Sequence, residues 1–294
     1  MASRPATVHR PTTPAETLAL LAEDPEQSKL LAGGTAFTIL WRSGLIQAEH
    51  IICCTAVSGL DGIRVEADSL VLGALTTLRA AEVSRAVQHH VPVLSSTLRH
   101  VANLRVRNVA TWGGNVAEAD NASDLPAVLV ALDAQAVVRS VRGERVSRVQ
   151  DLIVDFFTTT LAPDEMIVEL RIPTPASSSA GSYVKFVSRA GDDRTCMGVA
   201  AFVGLHPDGS CRDLRLVAIG AGAVPLRLPD VEAQAVGEVL DERTVAEVAA
   251  AYAAAADPLS DVRGSAGYRR RVLPALIAEA VSRASAGDNE AVLL

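Results

Sequence analysis

Two glycine pairs in the first half of the chain are of a type that binds anions. Each follows an apolar segment: residues 32–36 read AGGTA and residues 111–115 read TWGGN. Adjacent glycines let successive backbone N–H groups converge on one point, because no Cβ is in the way. A pyrophosphate fits such a point, especially where a helix begins next. One pair alone is typical of an ordinary turn, whereas two pairs, each beside a threonine, favour a dinucleotide.

Other candidates for chemistry are weaker. Residues 220–225 (GAGAVP) begin like a dinucleotide-binding fingerprint, but the sixth position is proline, so we interpret the segment as a turn. His89 and His90 are adjacent on a predicted helix and have no evident third ligand, so no metal site is predicted. The cysteines lack C-x-x-C spacing and are predicted to be buried, reduced thiols: Cys53, Cys54, Cys196 and Cys211. No catalytic acid, base or nucleophile is predicted.

Composition limits the class of protein. The chain has 294 residues, of which 49% are hydrophobic, which is enough for two or three small domains. Its net charge of −7 gives no electrostatic support for binding nucleic acid. No run approaches the roughly 20 apolar residues of a membrane helix, and the proline-containing first twenty residues do not resemble a secretory signal. We therefore expect a soluble, cytoplasmic protein without a membrane span.

Hydrophobic periodicity predicts the elements that position the glycine pairs. A small β-α-β unit is predicted first. It consists of a helix at 15–23, a strand at 29–32, a helical stretch to residue 45 and a strand at 49–55. The following elements are a hairpin (63–66 and 69–73), helices (77–87, continued at 91–101), a glycine-rich loop (111–115), a helix (123–131) and strands (136–140 and 165–172). After a linker at 173–181 come strands (182–188, 196–205 and 214–218), helices (242–256 and 267–284) and a frayed end.

The glycine segments belong to a longer signature. Residues 29–35 (KLLAGGT) resemble the first FAD loop of the flavoprotein subunits of molybdenum hydroxylases, the xanthine dehydrogenase and carbon monoxide dehydrogenase family. Residues 106–117 (VRNVATWGGNVA) resemble the second loop of that family. The same signature continues at residues 119–126, 131–134, 183–189 with Asp193, 198–201 and 265–270. The resemblance extends from the N-terminal helix to about residue 286.

This resemblance implies an α+β fold with several parts. An FAD-binding fold of the vanillyl-alcohol oxidase (PCMH) type would occupy residues 1–176, in subdomains at about 1–58 and 59–176. A small C-terminal α/β domain of the carbon monoxide dehydrogenase flavoprotein type would occupy residues 181–286, followed by a flexible tail at 287–294. FAD would lie in the crevice between the first two subdomains.

The resemblance also implies a function in electron transfer. The chain would be the FAD-containing (medium) subunit of a molybdenum hydroxylase complex and would pass electrons from the iron–sulfur clusters of a partner to an external acceptor. The [2Fe-2S] clusters would lie on a small subunit and the molybdopterin on a large subunit, assembled as a dimer of heterotrimers. Two alternatives remain open: a stand-alone flavin-dependent reductase of the same fold, and a non-catalytic FAD-binding protein.

The family's cofactor contacts are carried over to matching positions. The amides of Gly33, Gly34 and Thr35 would hold the FAD pyrophosphate. Asp124 would accept a hydrogen bond from a sugar hydroxyl, and the ammonium of Lys185 would lie near the flavin ring and favour its anionic reduced form. The cofactor-binding residues implied are Lys29, Leu30, Leu31, Ala32, Gly33, Gly34, Thr35, Ala36, Val101, Thr111, Trp112, Gly113, Gly114, Asn115, Asp124, Ile167 and Lys185.

Several of these positions have purely structural alternatives. Asp124 in the first turn of a helix can complement the helix dipole. Lys185 can be a surface residue whose alkyl stem packs on the protein. Trp112 stands where the family has a small aliphatic residue, so its ring either stacks on the flavin or packs in the core. Asp133 and Asp193 are predicted to be structural or solvent-facing.

Two further departures from the family pattern are small. Ala36 replaces a frequent serine and so removes one possible hydroxyl contact to phosphate, and Asn121 replaces a frequent proline. Neither change removes a backbone N–H donor, so FAD binding is still expected.

Overall fold

The computed structural model describes residues 6–176, 178–188 and 194–294. Ser177 of the predicted linker, and Arg189 and Asp193 of the family signature, lie outside the described residues. The described chain forms three units, each built around its own sheet, and the predicted α+β class is confirmed.

The N-terminal unit is a three-stranded parallel sheet in the order β1-β3-β2. Its elements are β1 (Thr7–His9), α1 (Pro14–Glu23), β2 (Ser28–Leu31), α2 (Phe37–Arg42) and β3 (His50–Cys53), which a 3-10 helix (Cys54–Ala56) follows. α1 begins one residue before the predicted helix at 15–23, and the Thr13 side chain accepts a hydrogen bond from the amide of Glu16 at 3.2 Å. Pro14 fits the first turn, where no N–H is needed.

The central unit carries most of the core. Its elements are β4 (Ile63–Glu66), β5 (Ser69–Gly73), α3 (Leu78–Glu82), α4 (Arg85–His90), α5 (Pro92–Arg99), α6 (Leu104–Arg107), α7 (Trp112–Glu118), α8 (Asp124–Ala131), β6 (Gln135–Ser140), β7 (Gly143–Arg148), α9 (Val149–Leu152), β8 (Ile153–Asp155), β9 (Thr158–Thr159) and β10 (Met166–Pro173). Five strands form an antiparallel sheet in the order β4-β5-β10-β6-β7. Helices α3 to α8 bury their apolar side chains against this sheet.

The prediction of a helix at 77–87 that continues at 91–101 is wrong, because the structure has three short helices there. Pro92 has no N–H and restricts Val91, which separates α4 from α5. The break after α3 is stabilised by side chains: the Glu82 carbonyl accepts hydrogen bonds from Ser95 Oγ at 3.0 Å and Gln88 Nε2 at 3.3 Å. These donors satisfy a carbonyl that a continuing helix would otherwise use.

The C-terminal unit is a four-stranded sheet packed on both faces. Its elements are β11 (Ser179–Phe186), β12 (Met197–Leu205), β13 (Cys211–Ile219), α10 (Pro229–Gln234), α11 (Glu242–Ala255), α12 (Ala266–Ala286) and β14 (Ala291–Leu293). Ala200 faces the core of the central unit, while its neighbours Val199 and Ala201 belong to the core beneath α11 and α12. A sheet covered on both faces needs apolar residues at successive positions, which explains the continuous apolar run in β12.

The prediction of a flexible end is wrong for the last residues. β14 pairs in parallel with β11, with Tyr183 opposite Ala291 and Lys185 opposite Leu293. β11 would otherwise be an edge strand, and the short apolar segment 291–293 covers that edge. In the parts of the chain that the structure describes, no helix is both long and apolar enough to cross a membrane.

Candidate cofactor site

The first glycine pair lies in the loop between β2 and α2. Among the hydrogen bonds of the described residues, none is donated by the backbone amides of Gly33, Gly34, Thr35 or Ala36. These four residues are only partly buried, so a ligand can reach their backbone. Gly34 has φ +71°, a left-handed conformation that glycine adopts without strain. A run of consecutive free amides of this kind is suited to bind an anion.

The second glycine segment lies directly beside this loop. A Cβ added to Gly33 would lie 2.0 Å from the carbonyl oxygen of Val109 and 2.9 Å from the Cα of Ala110. The backbone of Gly33 therefore packs against the peptide that immediately precedes Thr111, at the start of α7. This contact brings together two segments that are nearly eighty residues apart in the chain.

The second segment is not the loop that the sequence predicts, because residues 112–115 form the first turn of α7. Thr111 is the N-cap, and its hydroxyl accepts a hydrogen bond from the amide of Gly114 at 3.3 Å. The amide of Trp112 donates to Thr76 O at 3.1 Å and that of Gly113 to Ala74 O at 2.8 Å. Their amides are therefore not free, unlike those of the first pair, and this part of the prediction is wrong.

The two glycines of this second pair have different surroundings. A Cβ at Gly113 would lie 2.7 Å from the Cβ of Ala74, so this glycine allows α7 to approach the end of β5. Gly114 is exposed on the first turn of α7 and is available to a ligand. Next to it, Asn115 exchanges hydrogen bonds with the Ser123 hydroxyl, at 2.9 and 3.3 Å.

Trp112 packs in the core. Its side chain is 0% exposed and belongs to the main apolar cluster, so the alternative that the ring stacks on a flavin is wrong. Among the described residues its Nε1 has no hydrogen-bond partner. The Trp112 ring is therefore part of the apolar core.

Asp124 and Lys185 meet between the central and C-terminal units. The Lys185 ammonium lies 3.1 Å from Asp124 Oδ2 and donates to the His100 carbonyl at 2.6 Å. Lys185 is 1% exposed, so the surface interpretation of this residue is wrong. The other carboxylate oxygen of Asp124 accepts hydrogen bonds from the hydroxyls of Tyr183 and Thr195. Asp124 is also the first residue of α8, where a negative charge complements the helix dipole.

This buried network accounts for the charge states around it. Burial, and then the charge of Asp124, raise the pKa of Tyr183 well above its usual value, so its phenol remains a neutral donor. Burial, and then the charge of Lys185, lower the pKa of His100. Tyr183 and Thr195 are not among the cofactor contacts predicted from the sequence. A signal existed for Tyr183, because it lies two residues before Lys185 in one strand and so shares its face.

The remaining predicted contacts lie on β2, after α5 and on β10. Lys29 is exposed on β2, and Leu30 and Leu31 of the same strand are partly buried. Val101 is buried just after α5. Ile167 is buried at a β-bulge of β10, next to Val168, whose carbonyl accepts a hydrogen bond from the amide of Ala74 at 3.0 Å. Ile167 is thus linked to the start of α7 through Ala74 and Gly113.

The weaker candidates take no part in the site. Gly220 has φ +69° in a turn after β13, where a Cβ would lie 2.5 Å from the carbonyl oxygen of Cys196. The rings of His89 and His90 form an edge-to-face pair at 4.9 Å. Asp133 forms ion pairs with Arg215 and Arg227, in agreement with a structural role.

All four cysteines are buried and free. Burial is the main cause that raises the pKa of Cys54 to about 12, so its thiol is protonated at neutral pH. The interpretation of the cysteines as reduced core thiols is confirmed.

Free backbone amides packed against the start of a helix are typical of an anion-binding site, and comparison with known proteins identifies the family. Residues 4–175 match the FAD binding domain in molybdopterin dehydrogenase, and residues 182–284 match the CO dehydrogenase flavoprotein C-terminal domain. The chain therefore belongs to the molybdopterin dehydrogenase FAD-binding family, and the predicted family, FAD cofactor and oxidoreductase class are confirmed.

Relatives of this chain are subunits of dehydrogenase or hydroxylase complexes. It is 33% identical to the nicotine 6-hydroxylase medium subunit of Paenarthrobacter nicotinovorans, over 91% of this chain and 93% of that protein. It is 30% identical to the carbon monoxide dehydrogenase medium chain of Afipia carboxidovorans, over 95% of this chain and 96% of that protein. A solved structure of carbon monoxide dehydrogenase from Hydrogenophaga pseudoflava matches with a TM-score of 0.93 at 29% identity, covering 97% of this chain and 99% of that one.

Proposed function

We propose that this chain is the FAD-carrying electron-transfer subunit of a molybdenum hydroxylase complex. One observation carries the proposal: four consecutive amides at residues 33–36, which have no acceptor among the described residues, lie in a loop that packs against the start of α7. The fold and both family matches support the same assignment. When bound, FAD would supply the exchange between single-electron carriers and a two-electron acceptor.

The residues present fit the diphosphate of FAD. The amides of Gly33, Gly34, Thr35 and Ala36 would donate to its oxygens, and the lack of a side chain at Gly33 lets this loop pack against the Val109 carbonyl. Gly114 would lie exposed on the first turn of α7 near the same group. The remaining cofactor contacts implied by the family signature, at Lys29 to Ala32, Val101, Thr111, Asn115 and Ile167, form part of this proposal. Asp124 and Lys185 form a buried ion pair with each other, and their implied roles at a cofactor sugar hydroxyl and at the flavin ring remain part of this proposal.

The proposed partners are suggested by the relatives, several of which are named medium subunits or medium chains of dehydrogenases or hydroxylases. A small subunit would hold [2Fe-2S] clusters and a large subunit the molybdopterin, in a dimer of heterotrimers located in the cytoplasm. Electrons would pass from the iron–sulfur clusters to the flavin on this chain and then to an external acceptor. The role of this chain is to bind the cofactor and hold it in place, which requires no catalytic acid or base.

Purification of the tagged chain from its host tests this function. The proposal predicts that two further subunits purify with it, one with iron–sulfur and one with molybdopterin, and that a substrate of the molybdenum subunit bleaches the visible flavin absorbance. A chain that purifies alone with FAD, and oxidises a reduced nicotinamide without partners, would favour a stand-alone reductase. A chain that purifies alone, holds FAD and turns over nothing would favour a non-catalytic binding protein.

The substitution Gly114→Asp tests the assignment of the second segment. It places a carboxylate on the exposed first turn of α7, where repulsion from the diphosphate should weaken FAD binding by at least about tenfold. The fold should tolerate the change, because a negative charge is favourable at a helix N-terminus. Gly114→Asn is the matched control, with the same shape and no charge. Equal FAD dissociation constants for the two variants would show that Gly114 does not face the diphosphate.

A further inference from the structure

Three carbonyl groups at the end of α5 are held by buried cations. The carbonyl of His100 accepts a hydrogen bond from Lys185 Nζ at 2.6 Å. The carbonyls of Val101 and Ala102 both accept from Arg107 Nη1, at 3.0 and 2.9 Å. Ala102 has φ +45°, a conformation that costs free energy for a residue with a side chain. The segment 100–102 is therefore kept in an unfavourable shape by side chains that reach it from elsewhere.

Arg107 also forms a buried ion pair. Its Nε lies 2.8 Å from Glu82 Oε2, and the other oxygen of Glu82 lies 2.6 Å from Arg79 Nη1. Arg107 and Glu82 are both 8% exposed. One guanidinium thus binds a carboxylate at the end of α3 and two carbonyls after α5. Lysine has a single nitrogen on a flexible stem and cannot reproduce a planar donor that reaches three acceptors.

The backbone that follows Arg107 forms one wall of the cofactor site. Val109, two residues later, presents the carbonyl that packs against Gly33, and the next carbonyl, of Ala110, accepts a hydrogen bond from the amide of Leu78 at 2.9 Å. The segment 107–110 is consequently attached to both ends of α3, through Arg107 to Glu82 at one end and through Ala110 to Leu78 at the other.

We infer that Arg107 is a positioning residue for the cofactor site. By holding the segment 107–110 on α3, it sets where the Val109 carbonyl meets Gly33, and with it the position of the free amides of residues 33–36 relative to the start of α7. The inference rests on the proposed function, since those amides are assigned to the diphosphate. Arg107 itself need not touch the cofactor.

Arg107→Lys tests this role, with Arg105→Lys as the matched control on the exposed side of the same helix. The ligands are FAD and ADP, because ADP contains the diphosphate but no flavin. We expect Arg107→Lys to weaken binding of both ligands by about the same factor, roughly tenfold, because one well-placed charged hydrogen-bond network is lost. Arg105→Lys should bind both ligands as the wild type does. The thermal unfolding temperature of each apo-protein is measured alongside.

The outcomes are distinguishable. If Arg107→Lys lowers the unfolding temperature but leaves both dissociation constants at wild-type values, Arg107 is only structural and the inference is wrong. If FAD binding weakens and ADP binding does not, the effect lies at the flavin and the inference is also wrong. Should Arg107→Lys not fold, Glu82→Gln replaces it, with the same joint weakening expected. A wild-type chain that binds neither ligand would overturn the proposed function itself.

Discussion

Gly33→Ala is expected to yield a protein that retains little or no FAD. The added methyl would lie 2.0 Å from the carbonyl oxygen of Val109, a distance that no backbone can accept without moving. Either the free amides of residues 33–36 or the backbone around Val109, just before α7, must move. The cofactor site is therefore distorted at its centre. Overpacking of this kind lowers the free energy of unfolding by about 1–3 kcal/mol, which leaves a folded chain in which to measure binding.

The measurement is the flavin released per chain by denaturation, together with the FAD dissociation constant of the apo-protein. Gly267→Ala is the matched control, because a methyl there meets nothing within 4 Å and the backbone has no positive φ. This control should contain wild-type amounts of FAD and be at least as stable as the wild type, because alanine is favoured over glycine in a helix. Wild-type flavin content in Gly33→Ala would mean that the contact with Val109 does not shape the cofactor site.

Lys185→Met is expected to cause the largest loss of stability. The substitution leaves the buried carboxylate of Asp124 without its only cation among the described residues, with the hydroxyls of Tyr183 and Thr195 as remaining donors. Removing one partner of a buried ion pair costs about 3–5 kcal/mol. The pair joins α8 to β11, so the contact between the central and C-terminal units should weaken as well. Urea denaturation measures the loss.

Two comparisons isolate the cause of that loss. Arg243→Met removes one partner of an exposed ion pair with Glu247 and should cost no more than about 0.5 kcal/mol. The double substitution Asp124→Asn with Lys185→Met removes both charges and should recover much of the stability lost in the single variant. If Lys185→Met were no less stable than Arg243→Met, the buried pair would not hold the two units together.

Local sequence patterns predict those features whose cause is local. The hairpin of β4 and β5 follows from alternation of apolar and polar residues, and α1 from Thr13 and Pro14 at its start. The free amides at Gly33 and Gly34 were predictable for the same reason: adjacent glycines after an apolar strand determine the backbone there. Both features depend on residues within a few positions of one another.

Features that depend on distant contacts were not predictable from these patterns. The identical neighbours Gly113 and Gly114 differ because only Gly113 lies against Ala74, which follows β5 and is distant in sequence. The side of α7 on which Trp112 lies is likewise decided by the fold. β14 forms because β11 offers an unpaired edge, a fact that the short apolar segment 291–293 does not contain.

The buried polar networks also depend on distant contacts and were not predictable from local sequence patterns. The resemblance to the flavoprotein family singled out Asp124 and Lys185, but not that they form an ion pair across 61 positions of sequence. Arg107 and Glu82 are 25 positions apart, and neither residue type indicates burial. Such ion pairs can be recognised only in the folded structure, where the two charged side chains meet in the protein interior.

Flavin content of the wild-type protein tests the central claim most directly. Protein purified without added cofactor, or supplied with FAD and then freed of excess, is denatured, and the released flavin is identified and quantified against the chain. The account predicts FAD in amounts equimolar with the chain and yellow native protein. Colourless protein that releases no flavin and takes up none from solution would contradict it.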